Sequence, residues 1–132
     1  YGRANISEKL VFHGTQIHKL QSILQNNFNW RLYGNSKGNI FGKGVSFSPI
    51  SNYASNYCDK KVPKRCMLAV RVLEGISCVG NKNMTFPPLY CDGLHYDTSQ
   101  KHDGNVIVKY RDDEFVPEFL IYFSGYSLKN RN

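Results

Sequence analysis

The sequence predicts an α+β fold built on a mainly antiparallel or mixed sheet, and three observations predict it. Two strand–helix pairs occupy the first half, over 9–26 and 44–57. The second half is dominated by strand-like runs, "CMLAVRVLEG", "NVIVKY" and "EFLIYF", with no helical periodicity between them. Helices gathered at one end and strands at the other exclude a doubly wound parallel sheet, which needs strict alternation. At least five strands and two short helices are expected.

The elements follow in order. "KLVFHGT" (9–15) reads as a short buried strand ending in a turn, and Thr15 is placed to cap a helix from Gln16 to about Asn26. Ile17, Leu20 and Leu24 recur at helical spacing as its apolar face, and Asn26 and Asn27 are its stop signals. Residues 29–44 carry four glycines and little periodicity, which marks a long surface loop of the kind that binds or moves. "GVSFS" (44–48) is a short strand. Ser48 then caps a helix whose first residue is Pro49, with Ile50, Tyr53, Ala54 and Tyr57 along one face. The run 66–75 is apolar at nearly every position, as in a strand buried on both faces. "NKNMTFPPLYCDG" is a proline-containing loop. Strands at 105–110 and 118–123 are joined by "RDDEFVP" as a hairpin loop or bulged turn. The tail from 124 is polar and expected to fray.

At 132 residues with 41% hydrophobic and 14% aromatic side chains, the chain is expected to form one folded domain over 1–132, its core spanning about 9–123. From a start at Tyr1 in place of Met, a piece cut from something longer is expected. No secretory signal opens the chain, and no apolar run approaches the ~20 residues that cross a bilayer. An intracellular monomer, nuclear or cytoplasmic and away from membranes, is expected. Cys58, Cys66, Cys78 and Cys91 lack any Cys-x-x-Cys spacing, so they read as reduced, buried thiols. Cys91 with His95 alone does not make a zinc site, and no metal is expected.

The formal charge of +7 is uneven. Residues 1–73 hold eleven Lys/Arg against Glu8 and Asp59, whereas residues 74–132 hold six against eight acids. A basic first half suits an anionic ligand, a pyrophosphate or a nucleic acid, although a solvated basic surface would read the same. The glycines do not form a phosphate loop. In "GKGVSF" they precede a strand, and Gly44 stands where the Ser/Thr of that motif belongs. Gly34, Gly38, Gly42 and Gly44 also fail the dinucleotide spacing. His13-Gly14-Thr15 ends a strand with a group that can bond a sugar hydroxyl, followed by a residue whose backbone a ligand amide can approach. Tyr53 and Tyr57 could stack a flat ring or simply pack in the core.

Taken in order, these pieces form a pattern: apolar pair-His-Gly-Thr, a helix, "NNFNWR", a glycine loop, "GKGVSF", a helix bearing "YASNY", then an apolar strand ending Glu-Gly. With "FPP", "YDTS", "NVIVKY" and "VPEFLIYF" following, residues 9–123 resemble the ADP-ribosyltransferase catalytic domain of the PARP family. The branch resembled is the mono-ADP-ribosylating one that includes the CCCH zinc-finger PARPs. The resemblance implies a mainly antiparallel split sheet with short helices, and NAD as substrate. It places His13 on the adenosine ribose, the Gly14 backbone on the nicotinamide carboxamide, and Tyr57 against the nicotinamide ring. Thr15, Arg31, Gly44 and Tyr53 fall in the nucleotide-binding segments, and the loop from Arg31 to Phe41 would cover the nucleotide. ADP-ribose would pass to an acceptor, a protein or a nucleic acid, with release of nicotinamide.

Three positions depart from that pattern. The family's active-site triad is His, Tyr and Glu; His13 matches, the tyrosine position falls on Ser46, and the glutamate position on Val106. Ser46 removes a stacking ring. Val106 can act as neither base nor hydrogen-bond acceptor, which implies single transfer and no chain growth. Ala54 stands where a carboxamide-binding serine is expected, with Ser55 about 100° round the helix. Glu114 and Glu118 lie beyond that strand. Two readings of function therefore stand beside a third: a mono-ADP-ribosyltransferase, a catalytically silent module that senses NAD or binds a partner, and a basic nucleic-acid binder.

Overall fold

The computed structural model describes residues 6–28, 40–60 and 62–124. Its longest strands build one antiparallel sheet. β1 (Ser7–Thr15) and β9 (Phe115–Ser124) flank β3 (Lys64–Glu74) in the order β1-β3-β9. β3 is central, and Cys66–Val70 are buried on both faces, as the unbroken apolar run requires. A second, four-stranded sheet runs β2-β8-β7-β4, from β2 (Val45–Phe47), β4 (Ser77–Val79), β7 (Thr98–Gln100) and β8 (Ile107–Lys109). Its β4–β7 pair is parallel and the rest antiparallel. β5 (Leu89–Cys91), inside the stretch expected to be loop, forms a small hairpin with β6 (Leu94–His95) just after it.

The two larger sheets meet at one bridge. Phe12 N–H donates to Ser48 O at 2.8 Å and Ser48 N–H donates back to Phe12 O at 2.9 Å. Beyond this point β1 and β2 part, which is the split of the sheet. The core between the sheets comprises Val11, Phe47, Leu68, Val70, Val72, Ile107 and Phe115, closed by Leu20, Ile23 and Phe28.

Several local expectations are corrected. Helix α1 spans Ile17–Asn26, but its N-terminus is not capped by Thr15, which is the buried last residue of β1. The Asp59 carboxylate accepts the Ile17 N–H at 2.9 Å instead, a long-range cap that also sets a negative charge at the positive end of the helix. The buried face of α1 is Leu20 and Ile23, whereas Ile17 and Leu24 at the edges of that stripe are 43% and 51% exposed. Asn27 does end the helix. It adopts φ 62°, where asparagine is tolerated, and its side-chain amide donates to Phe115 O at 2.9 Å.

The second helix starts later than Pro49: α2 covers Ser51–Ala54 and continues as a 3₁₀ turn over Ser55–Tyr57. Ser48 Oγ accepts the Ile50 N–H at 3.0 Å and so shapes the turn before it. "RDDEFVP" is not a hairpin, because β8 and β9 lie in different sheets. It forms a 3₁₀ turn (Asp112–Glu114) and then the start of β9. Pro117 sits within β9 beside a register shift between Ala69 and Val70 of β3, where Glu118 is the extra residue. All four cysteines are free thiols, but only Cys58 and Cys66 are buried; Cys91 is exposed. Of the two segments expected to be mobile, residues 29–39 of the long loop and 125–132 of the tail lie outside the described residues.

Candidate active site

The cleft opens where the two sheets part. It has a volume of about 650 Å³, within the range of small-molecule sites. Its walls come from the end of β1, the start of α1, the Ile40–Phe41 turn, β2, and α2 with its 3₁₀ extension. His13, Gly14, Thr15, Ser46, Tyr53, Tyr57 and Val106, far apart in sequence, all line it.

His13 is held by both sheets. It lies on β1, and its Nδ1 is 2.9 Å from Ser46 O on β2. A carbonyl can only accept, so Nδ1 carries the proton and Nε2 is the acceptor nitrogen. Phe28 and Phe47 meet the imidazole edge-on, at centroid distances of 4.6 and 5.7 Å. Burial pushes its pKa down from 6.5 to about 4; the Ser46 carbonyl opposes this and the Lys19 ammonium adds to it. The imidazole is therefore neutral at physiological pH. The folded state holds this proton less tightly than the unfolded state does. The stability it confers is complete above pH 6.5 and is lost as the pH falls toward 4. Chemical denaturation at pH 7.5 and pH 5 is expected to show about 2 kcal/mol of lost stability that His13→Gln does not show. Equal losses in the two proteins would contradict the buried neutral imidazole.

Gly14 follows at the closest approach of strand and helix. A Cβ there would lie 1.9 Å from Ala54 O and 3.1 Å from Cys58 Sγ. The position expected to receive a carboxamide is thus also the contact that seats α2. Ala54 is buried, and Ser55 does not replace it: its hydroxyl donates to Asn52 O at 2.6 Å, outside the cleft lining.

On the helix wall, the Tyr53 and Tyr57 rings lie 6.3 Å apart, tilted by 47°. Tyr57 is 49% exposed, with partial burial and its neighbour Tyr53 raising its phenol pKa. On the sheet wall, Ser46 pairs with Val108, while Phe47 turns into the Phe28–Phe115 cluster. Val106 is buried against Val108 and Tyr110, just before β8.

One expected site residue falls elsewhere, and another is not among the described residues. Gly44 does not line the cleft. Its missing Cβ would lie 2.3 Å from Lys109 O, so this glycine admits close packing of the chain against β8. Arg31 lies outside the described residues. The structure also adds lining residues that sequence reasoning passed over: Phe12, Gln16, Lys19, Asn56 and Lys60. Lys19 had a signal, since it lies six residues after His13 on the first turns of α1, in the basic half of the chain. No carboxylate lines the cleft among the described residues, and no group of three His, Cys, Asp or Glu could hold a metal ion.

The sequence is similar to known proteins over most of its length. The poly(ADP-ribose) polymerase catalytic domain matches residues 2–126. Mouse protein mono-ADP-ribosyltransferase PARP12 is 29% identical over 127 residues, covering 93% of this chain and 18% of that protein. Human PARP14 is 30% identical over 126 residues, 89% of this chain and 7% of its own length, and mouse PARP11 is 28% identical over 147 residues, 92% and 44%. The chain thus spans less than half the length of each of these relatives. With its match across almost the whole sequence and its antiparallel split sheet, the chain belongs to the poly(ADP-ribose) polymerase catalytic-domain family.

Proposed function

We propose that this chain is an NAD-dependent mono-ADP-ribosyltransferase domain that uses the cleft between its sheets. The observation carrying this reading is the convergence of His13, Gly14 and Tyr57 on one hollow of about 650 Å³. Neutral His13 bonds the adenosine ribose, the Gly14 backbone takes the nicotinamide carboxamide, and Tyr57 stacks on its ring. These contacts fix the C1′–nitrogen bond of the nicotinamide ribose in the cleft. Nicotinamide leaves with the bonding electron pair, and the acceptor's nucleophile joins C1′, which passes through an oxocarbenium-like state. The protein's share is orientation of the ribose and exclusion of water.

Val106 gives no base to a ribose hydroxyl, which fits transfer of a single unit. The acceptor is a protein side chain or a nucleic-acid end. A second reading has its own support. With no carboxylate in the described lining, the same cleft could hold NAD and leave it uncleaved, as a sensing module would.

Incubation with labelled NAD tests the two. Transfer of label that His13→Ala reduces at least a hundredfold supports the transferase. No transfer, with a thermal shift on adding a non-cleavable NAD analogue, supports the sensor. Neither effect, with salt-dependent RNA binding, would leave only the basic surface and reject both.

The placement of Ser46 yields a further expectation. Ser46→Tyr should bring a phenol against the nicotinamide from the sheet wall and shift NAD affinity by about 0.5–1.5 kcal/mol, read by calorimetry. Unchanged affinity in a folded variant would separate Ser46 from the nicotinamide.

A further inference from the structure

We infer that Phe41 is the second ring wall for nicotinamide, and that Ser99 and Tyr110 are the positioning residues that fix it. This rests on the reading of the cleft as an NAD site.

A flat heteroaromatic ring is held best between two faces. Besides His13, five aromatic residues line the cleft among the described residues: Phe12, Phe41, Phe47, Tyr53 and Tyr57. Phe47 is 2% exposed and packed into the core. Phe12 packs beneath the floor, with Ala54, Cys58 and Met67. Tyr53 and Tyr57 share one helical segment and form one wall. Phe41 reaches the cleft from a separate segment, the turn before β2. It is half-buried and, like Tyr53 and Phe86, packs against Val106, Val108 and Tyr110, the cluster beside Ser46.

The backbone of Phe41 is gripped to an unusual degree. Ser99 Oγ–H donates to Phe41 O at 2.7 Å, and Tyr110 Oη lies 2.6 Å from Ser99 Oγ. Because the serine proton goes to the carbonyl, the tyrosine proton goes to the serine. The relay runs Tyr110 to Ser99 to Phe41, and burial, which pushes the Tyr110 pKa up to about 12, keeps that phenol protonated. Ser99 and Tyr110 are 0% and 1% exposed. Gly80 presses on the same carbonyl, where a Cβ would lie 1.7 Å from Phe41 O. Gly42 adopts φ 143°, with Tyr110 Oη 1.9 Å from where its Cβ would be. One residue further on, Lys43 N–H donates to Met84 O at 2.8 Å. A buried polar relay is costly unless every member is satisfied, and this one ends on the backbone carbonyl of a residue that lines the cleft. That is the construction expected behind a ligand-contacting ring.

Titration of the protein with two probes, nicotinamide and ADP-ribose, tests the assignment. Phe41→Leu should weaken nicotinamide roughly two- to tenfold, the value of a stacked ring, and leave ADP-ribose unchanged. Phe41→Tyr should retain both affinities. Ser99→Ala should shift nicotinamide in the same direction as Phe41→Leu while sparing ADP-ribose, whereas a merely structural role would lower both. Ser46→Tyr in the Phe41→Leu background should recover nicotinamide binding. Folded Phe41→Leu with unchanged nicotinamide affinity, or with both probes weakened alike, would overturn the assignment and leave the NAD reading standing. Wild-type protein that binds neither probe would overturn both.

Discussion

Gly14→Ala is expected to lose nicotinamide affinity by at least tenfold and to melt several degrees below the wild type. One methyl group suffices because the atom it meets is backbone. The new Cβ would lie 1.9 Å from Ala54 O, and no rotamer change can move a carbonyl. Either β1 bends at its last residues or α2 shifts outward, carrying Tyr53 and Tyr57 with it. Overpacking of this kind costs about 1–3 kcal/mol in stability. Binding suffers as well, since the same shift moves Tyr57 away from His13. Gly93→Asn, in the β5–β6 turn with nothing within 4 Å, is the control and should leave binding unchanged. A Gly14→Ala protein with wild-type affinity would mean that the strand–helix contact does not shape the site.

Lys109→Ala is expected to cost about 3–5 kcal/mol, the range for stripping one partner from a buried ion pair. The Lys109 side chain is fully buried, with Nζ 2.9 Å from Glu114 Oε1, 2.9 Å from Thr98 Oγ1 and 3.4 Å from Asp97 Oδ1. Asp97 also accepts the backbone N–H groups of Gly75 and Ile76, at 3.1 and 2.8 Å, so this cluster ties the turn after β3 to β7 and β8. Without the ammonium, the nearly buried Asp97 carboxylate and the partly buried Glu114 carboxylate lose the charge they share. For a chain of this length the loss corresponds to roughly 10–20 °C in melting temperature, measurable by calorimetry. A fall of only two or three degrees would show that water enters the cluster and solvates it.

These two residues also show how much the sequence discloses. His13-Gly14 could be singled out as a candidate pair because both chemistries, a ring nitrogen and a bare backbone, are local properties. The close contact with Ala54 could not, since it depends on how α2 lies across β1. Long strands declared themselves: the apolar run of β3 and the ends of β1 and β9 need no tertiary information. β4 to β7 were illegible because strands of two or three residues have no measurable period, and β4–β7 is a parallel pair formed by residues 77–79 and 98–100. Lys109 misleads for a related reason. In "NVIVKY" a lysine reads as a solvent-facing position, but alternation puts Val106, Val108 and Tyr110 on the cleft side and Ile107 and Lys109 on the core side. Only the arrival of Asp97 and Glu114 makes that placement tolerable. The cap of α1 was missed similarly, because Asp59 is 42 residues from the N–H it accepts.

The cleft residues gather from five segments, and the one claim beneath every functional statement is that they bind a single dinucleotide. The most direct measurement is a crystal structure of the protein with a non-cleavable NAD analogue. The account predicts adenosine ribose at His13, carboxamide on the Gly14 backbone, and the nicotinamide ring between Tyr57 and Phe41. An analogue bound outside the cleft, or one whose nicotinamide end touches neither Gly14 nor Tyr57, would contradict it.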